Sequence, residues 1–121
     1  MECIFENGIP IYLQLVERIR EEIVSGKLKQ GERLLSVREL AIKFKVNPNT
    51  MQKALVELED EKLIYTERTN GKFVTCDQKL IDKYKKKYAE ELTNKYFDGM
   101  KSIGFDNNET IEYLKNLGGD K

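Results

Sequence analysis

The chain has 121 residues, of which 35% are charged and 40% hydrophobic, which favours one compact globular domain or a small domain with an appendage. No apolar run approaches the roughly 20 residues that span a bilayer, and the opening MECIFENGIP lacks the apolar core of a signal peptide. There is no histidine, no glycine-rich phosphate loop and no G-x-S-x-G turn, and the two cysteines lie far apart. We therefore expect a cytoplasmic protein with reduced thiols, no membrane association, no catalytic or metal site, and no cofactor.

A net charge of zero conceals a basic segment. Residues 27–53 carry seven basic and only two acidic side chains, a net charge of +5, and an acidic cluster follows them directly. Local potential, rather than the total, governs attraction to phosphates. The charge pattern therefore keeps nucleic acid open as a partner.

The segment PIYLQLVERIREEIVSG predicts the first helix. Pro10 suits the first helical position because its φ is fixed and its N–H is missing. Leu15, Ile19 and Ile23 recur at helical spacing, and Gly26 is a natural left-handed stop.

Two short helices follow in quick succession. Ser36 opens the first as a capping box completed by Glu39 three residues later. After about two turns, Asn47 caps the next helix and Pro48 takes its first position. Two short helices separated by a turn of about three residues predict a helix-turn-helix.

The polar front of the second of these helices suggests a recognition surface. Its apolar stripe is formed by Met51, Ala54, Leu55 and Leu58. That stripe leaves polar side chains exposed near the start of the helix: Asn49, Thr50, Gln52 and Lys53. Asn and Gln can bind adenine in a bidentate way, and Lys can reach guanine or phosphate. In the alternative interpretation Asn49 and Thr50 only help to cap the helix, although Asn47 already does so.

The stretch KLIYTERTNGKFVT predicts a β-hairpin. Asn70-Gly71 is a strong signal for a two-residue type I′ turn between two runs of strand formers. A hairpin directly after a helix-turn-helix is a wing. Arg68 and Lys72 flank its tip, where they can contact the DNA backbone or minor groove, or form an ordinary solvated hairpin end.

From Asp77 the sequence predicts a helical tail. A continuous apolar stripe indicates one helix of about 25 residues; its members are Ile81, Tyr84, Tyr88, Leu92, Tyr96, Met100 and Ile103. Several lysines lie near the start of this helix, and they form either a solvated face or contacts to DNA. Gly104 ends it, and a second capping box, Asp106 with Glu109, begins a short amphipathic helix that ends near Gly118.

The long stripe predicts a dimer. The short terminal helix spans too little of the long one to cover it, and a large apolar patch usually marks an interface. Two-fold symmetry is the commonest arrangement. The dimerisation residues predicted are Ile81, Tyr84, Tyr88, Leu92, Tyr96 and Met100.

The string GERLLSVRELAIKFKVNPNTMQKALVELEDEKLIYTERTNGKFV resembles the winged helix-turn-helix of the GntR family of bacterial transcription regulators, over residues 10–74. The two-helix tail is similar to that of the YtrA-type subfamily. The resemblance implies a mainly α fold with a small β-hairpin, in which residues 1–76 form the DNA-binding domain and residues 77–121 a two-helix dimerisation tail.

The same resemblance implies a homodimer that binds double-stranded DNA at a palindromic operator and usually represses transcription. It assigns DNA contact to the arginine of SVRELA, to the polar residues opening the recognition helix, and to the wing-tip glycine. With the two helix caps and the basic wing residues, the predicted DNA-binding set is Ser36, Arg38, Asn47, Asn49, Thr50, Gln52, Lys53, Arg68, Gly71 and Lys72. A small-molecule effector stays unknown.

This chain departs from the family pattern at four places. Leu35 replaces a proline, Lys45 and Lys62 replace glycines, and ERTNG replaces an Arg-Gly pair in the wing. A lysine in the left-handed conformation costs on the order of 1 kcal/mol. The alternative function is a winged helix that serves as a protein-interaction module, which would more often present apolar residues where this chain has Asn-Thr-Gln-Lys.

Overall fold

A computed structural model describes residues 5–119 of the chain. The elements in chain order are α1 Ile11–Val24, α2 Val37–Phe44, α3 Pro48–Asp60, β1 Ile64–Glu67, β2 Gly71–Val74, α4 Gln78–Ser102 and α5 Asn107–Gly119. The mainly α fold with one hairpin is confirmed. The chain divides into two compact units between Lys83 and Tyr84, within α4, whereas the sequence places the boundary after residue 76.

The core of the first unit is built around α3, which packs against α1, α2 and β1. Leu15 and Ile23 of α1 and Met51, Leu55 and Leu58 of α3 are fully buried. Burying one such side chain contributes about 1.5–3 kcal/mol. The apolar stripes that predicted these helices therefore form one continuous core.

The polar helix starts are confirmed. The Ser36 N–H donates to Glu39 Oε1 at 2.9 Å, and the Glu39 N–H donates to Ser36 Oγ at 3.1 Å, which is a complete capping box. Asn47 Oδ1 accepts the Asn49 N–H at 2.7 Å, and Pro48 is the first residue of α3. The assignment of Pro10 to the first helical position is wrong by one residue, because its ψ of 135° is extended and α1 begins at Ile11.

Two lysines adopt the left-handed conformation. Lys45 has a φ of 56° at the end of α2, and Lys62 has a φ of 65° in the turn after α3. Behind Lys45, the Val46 N–H donates to the Ala41 carbonyl at 3.0 Å and so closes the turn. Each lysine stands where the resemblance implies glycine, so the turn geometry is kept at a conformational cost of about 1–2 kcal/mol each.

The hairpin is longer than predicted at its tip. Ile64 pairs with Val74 and Glu67 with Gly71, so residues 68–70 form a three-residue loop. A type I′ turn needs positive φ at both Asn70 and Gly71. Only Gly71, at +98°, has it, and the Asn70 N–H instead donates to the Glu67 carbonyl at 3.2 Å. The predicted two-residue turn is therefore wrong.

Most of α4 and all of α5 form the second unit. The predicted capping box is present, since the Asp106 N–H donates to Glu109 Oε1 at 3.0 Å and the Glu109 N–H to Asp106 Oδ1 at 2.8 Å. The Phe105 and Tyr113 rings pack edge to face with centroids 6.0 Å apart. These contacts fix the start of α5 within this unit.

The apolar stripe of α4 is open along most of its length. Leu92 is 68% exposed, Ile103 is 69% exposed and Tyr96 is 39% exposed. Ile81 is a correction to the predicted interface, because it belongs to the first unit and is only 5% exposed within its own chain. A side chain already buried in this way offers no surface to a second copy, so the open stripe begins beyond it.

Candidate nucleic-acid interface

The front of α3 presents polar side chains to solvent. Asn49, Gln52 and Lys53 are exposed and Thr50 is half-buried, while the apolar stripe predicted for the same helix, Met51, Ala54, Leu55 and Leu58, is buried. This is the arrangement that the helical spacing predicts. It leaves the two amides exposed on the N-terminal turns of the helix, which is where a recognition helix meets base edges.

Lys53 is held in place by the first helix. Its Nζ lies 4.0 Å from the centroid of the Tyr12 ring. An ammonium over an aromatic face gains about 0.5–1 kcal/mol at an exposed site. The ring therefore restrains a side chain of the recognition surface, an arrangement that links α1 to α3.

The start of α2 contributes Arg38 and a capped helix end. Arg38 is exposed and is the second residue of α2, two positions after the Ser36 cap. The hydrogen bonds from the Ser36 backbone and side chain hold the pKa of Glu39 below its usual range, with a smaller contribution from the Arg33 charge. The Ser36 hydroxyl oxygen and the Asn47 carboxamide oxygen both accept a backbone N–H in capping.

The wing is tied to the recognition helix by a polar cluster. Lys72 Nζ donates to Thr66 Oγ1 at 2.8 Å and pairs with Glu59 Oε1 at 3.2 Å. Thr66 also donates to Glu59 at 2.8 Å, and this bond, followed by the Lys72 contacts, lowers the pKa of Glu59. The Lys72 charge is thus engaged within the protein, whereas Arg68 is exposed at the wing tip.

One basic residue beside the wing was missed by the sequence reasoning. Arg33 was counted in the basic segment, but it precedes α2 and shows no helical or hairpin pattern of its own. In the fold it forms an isolated antiparallel bridge with Phe73 of β2. The only signal in the sequence was its charge, because nothing local predicts that this connection pairs with the wing.

Within residues 5–119 no group of three or more His, Cys, Asp or Glu side chains could hold a metal ion. In the same part of the chain, every helix is too short or too polar to cross a membrane.

Three packed helices, an exposed polar front on the third and a wing pinned beside it define a winged helix-turn-helix, a class of DNA-binding domain. The model of the family described as "Bacterial regulatory proteins, gntR family" matches residues 11–74. The chain is 36% identical over 115 residues to the uncharacterized HTH-type transcriptional regulator YhcF of Bacillus subtilis, covering 95% of both proteins. The chain belongs to the GntR family of bacterial transcription regulators.

Other similarities extend this result along the chain. The HTH-type transcriptional repressor YtrA of Bacillus subtilis is 34% identical over 116 residues, which cover 94% of this chain and 88% of YtrA. A GntR family transcriptional regulator from Listeria monocytogenes has 41% identity and a TM-score of 0.80, covering 93% of this chain and 98% of that one. YhcF, YtrA and the Listeria protein are regulators rather than enzymes, and all three match both the winged domain and the tail.

The solved structures also include a DNA complex. The structure of AraR(DBD) in complex with operator ORX1 has a TM-score of 0.56 and 26% identity, covering 62% of this chain and 95% of that one. The similarity is confined to about the length of the winged domain. The DNA-bound protein in that structure is AraR(DBD).

Proposed function

We propose that the protein is a cytoplasmic homodimeric repressor that binds a palindromic operator in double-stranded DNA. The observation that carries the proposal is the polar front of α3, where Asn49, Gln52 and Lys53 are exposed on a helix whose opposite face is core. Repression is the activity named for the relative YtrA. Operator binding is named for AraR(DBD).

Base recognition is assigned to the exposed amides of α3. Asn49 and Gln52 lie three residues apart, so they share one helix face and can address neighbouring bases. A bidentate amide–adenine contact is worth roughly 1–3 kcal/mol in discrimination. Arg38, from the preceding helix, adds a guanidinium that suits guanine or phosphate. Ser36 and Asn47 mark helix N-termini, where phosphates are favoured.

The dimer is assigned to the open stripe of α4. This helix has 25 residues and is about 37 Å long, whereas α5 has 13 residues and spans about 20 Å. Leu92, Tyr96 and Ile103 are exposed in the isolated chain. A second copy related by a two-fold axis would cover them, with the half-buried Tyr84, Tyr88 and Met100 at the same seam.

Two-fold symmetry gives the operator its form. A dimer presents two recognition helices to successive major grooves, about 34 Å apart, and the bound site is then an inverted repeat. A single winged domain would contact one half-site and would bind more weakly. The palindromic site and the dimer are therefore one hypothesis, which can be tested either by the symmetry of the bound DNA or by the oligomeric state of the protein.

The dimer is tested with two neighbouring substitutions in the full chain. Leu92→Glu places a charge on the stripe, and Thr93→Glu places the same charge on an exposed position about 100° around the helix. Sedimentation equilibrium should give a dimer for the natural chain and for Thr93→Glu, and a monomer or a strongly weakened dimer for Leu92→Glu. If Leu92→Glu sediments like Thr93→Glu, the stripe is not the dimer interface.

Repression is tested by transcription in vitro. A promoter carrying a selected binding site should give less transcript as the protein is added, and Asn49→Ala should restore the transcript level at the same protein concentration. An unchanged or increased transcript level with the bound natural protein would contradict repression. A chain that binds partner proteins but no duplex would instead favour the protein-interaction module.

A further inference from the structure

Arg33 is fixed to the wing through its backbone. It forms an antiparallel bridge with Phe73, and the next N–H along the chain, that of Leu34, donates to the Lys72 carbonyl at 2.8 Å. These contacts make the connection before α2 run beside β2 as a short third strand. The Cα of Arg33 therefore keeps a constant position relative to the wing.

The side chain of Arg33 lies against the glycine that begins β2. A Cβ placed on Gly71 would be 3.3 Å from Arg33 Nε and 3.6 Å from its Nη2, closer than ordinary van der Waals contact for the first. Gly71 therefore has two reasons to be glycine, since its φ of +98° also disfavours any other residue. The bare backbone at this position leaves room for the guanidinium to lie along the wing.

The guanidinium has donors to spare. Arg33 is exposed, and within residues 5–119 it has no hydrogen-bond or salt-bridge partner. The Glu39 carboxylate is near enough for the arginine to lower its pKa, but Glu39 Oε1 already accepts the Ser36 N–H. Up to five N–H donors on a planar fork therefore face solvent beside the wing.

The cleft beside the wing is lined by both basic and acidic side chains. Arg33 lines an open cleft between the start of α2 and the wing, together with Ser36, Arg68 and Gly71. Glu39, Glu67 and Lys72 also line this cleft. The charge of Lys72 is already paired with Glu59, so the basic groups left for a ligand are the two arginines.

We propose that Arg33 binds a backbone phosphate of DNA next to the wing. The inference rests on the proposed function and adds a contact outside the recognition helix. A guanidinium matches a phosphate in a bidentate geometry, and α2, which begins at the side of the same cleft, favours negative charge at its N-terminus. Because the arginine is anchored to the wing rather than to α3, its contact fixes how the wing lies along the backbone and carries no base preference.

The test compares Arg33→Gln with Lys29→Gln in the full chain. Both substitutions remove one positive charge from an exposed residue of the same connection, but only Arg33 lines the cleft. Fluorescence anisotropy should be recorded with a selected duplex and with a random duplex between 50 and 200 mM salt, a range over which phosphate contacts change affinity strongly. Thermal melts of each variant monitor the fold.

Arg33→Gln should weaken binding to both duplexes by a similar factor, about tenfold. It should also reduce the slope of log K against log salt by about 0.9, the value for one lost phosphate contact. Lys29→Gln should change affinity less than twofold and leave the slope within error. The melting temperature of Arg33→Gln should match that of the natural chain, since no internal bond of the guanidinium is lost.

Three results would overturn the inference. If Arg33→Gln has the same slope of log K against log salt as the natural chain, with or without a lowered melting temperature, the arginine only packs on the wing. Loss of affinity for the selected duplex alone would indicate a base contact instead of a phosphate contact. If the natural chain shows no salt-dependent binding to any duplex, the proposed function fails and this inference fails with it.

Discussion

Replacing Lys62 by glycine should stabilise the protein. Lys62 has a φ of 65°, in the left-handed region, where a residue with a Cβ pays about 1–2 kcal/mol. Glycine removes this cost, but it also gives the unfolded chain more conformational freedom, which lowers the stability by about 0.4–1 kcal/mol. The net gain in the free energy of unfolding should be about 0.5–1 kcal/mol, or a rise in melting temperature of about 3–5 °C.

The matched control is Lys62→Ala, which removes the same charge and side chain but keeps the Cβ. It should lie within about 0.5 kcal/mol of the natural chain, as exposed substitutions usually do. Urea denaturation of all three proteins at one fixed protein concentration measures the difference, because the stability of the proposed dimer depends on concentration. If the glycine and alanine variants are equally stable, the backbone of Lys62 stores no strain and the reasoning is refuted.

Three further predictions concern the interface and its supports. Arg38→Ala and Asn49→Ala should each weaken specific binding by roughly 1–3 kcal/mol with unchanged thermal melts, because both side chains are exposed; unchanged affinity in both variants would remove them from the interface. Tyr12→Leu should lower the free energy of unfolding by about 0.5–1 kcal/mol in the natural chain and by less in a Lys53→Gln background, which a double-mutant cycle measures. Equal losses in both backgrounds would mean that the Tyr12 ring and the Lys53 ammonium do not interact. The lowered pKa of Glu59 stabilises the fold above the ordinary carboxyl pKa near 4.5, and this contribution disappears as pH falls through the lower folded pKa. The stability difference between the natural chain and Glu59→Gln, under about 1 kcal/mol for an exposed pair, should therefore shrink from pH 6 to pH 3, and a constant difference would contradict the assignment.

The helices could be predicted because their signals are local. Two short patterns, each within four residues, predict helix starts: Ser36 with Glu39, and Asn47 followed by Pro48. The structure contains both caps. The left-handed turns at Lys45 and Lys62 could be predicted only through the family resemblance. Lysine itself does not favour that conformation, so the surrounding core imposes it.

The wing could be predicted only in outline. Asn70-Gly71 correctly marked a hairpin, but the turn type depends on strand register, which tertiary contacts set. The pairing of Arg33 with Phe73 and of Lys72 with Glu59 joins residues 40 and 13 positions apart, and no periodicity reports such contacts. For the same reason the sequence did not show that Lys72 pairs within the protein or that Arg33 lies beside the wing.

Ile81 shows the limit of periodicity on a long helix. It continues the stripe of α4 in perfect spacing, yet it is buried in the first unit, whereas Leu92 on the same stripe is open. Helical spacing specifies a face of the helix. Which segment of the protein covers each part of that face depends on tertiary structure, which the spacing does not specify.

Selection of bound duplexes from a random pool tests the central claim most directly, because it reads sequence preference and symmetry together. The full chain should enrich an inverted repeat whose half-sites are centred about 10 base pairs, or a multiple of one helical turn, apart. The same selection with Leu92→Glu should enrich a single half-site or no site, since the second recognition helix is lost. No enriched sequence with the natural chain, or a single unrepeated site bound with the same affinity by both proteins, would contradict a dimeric operator-binding regulator.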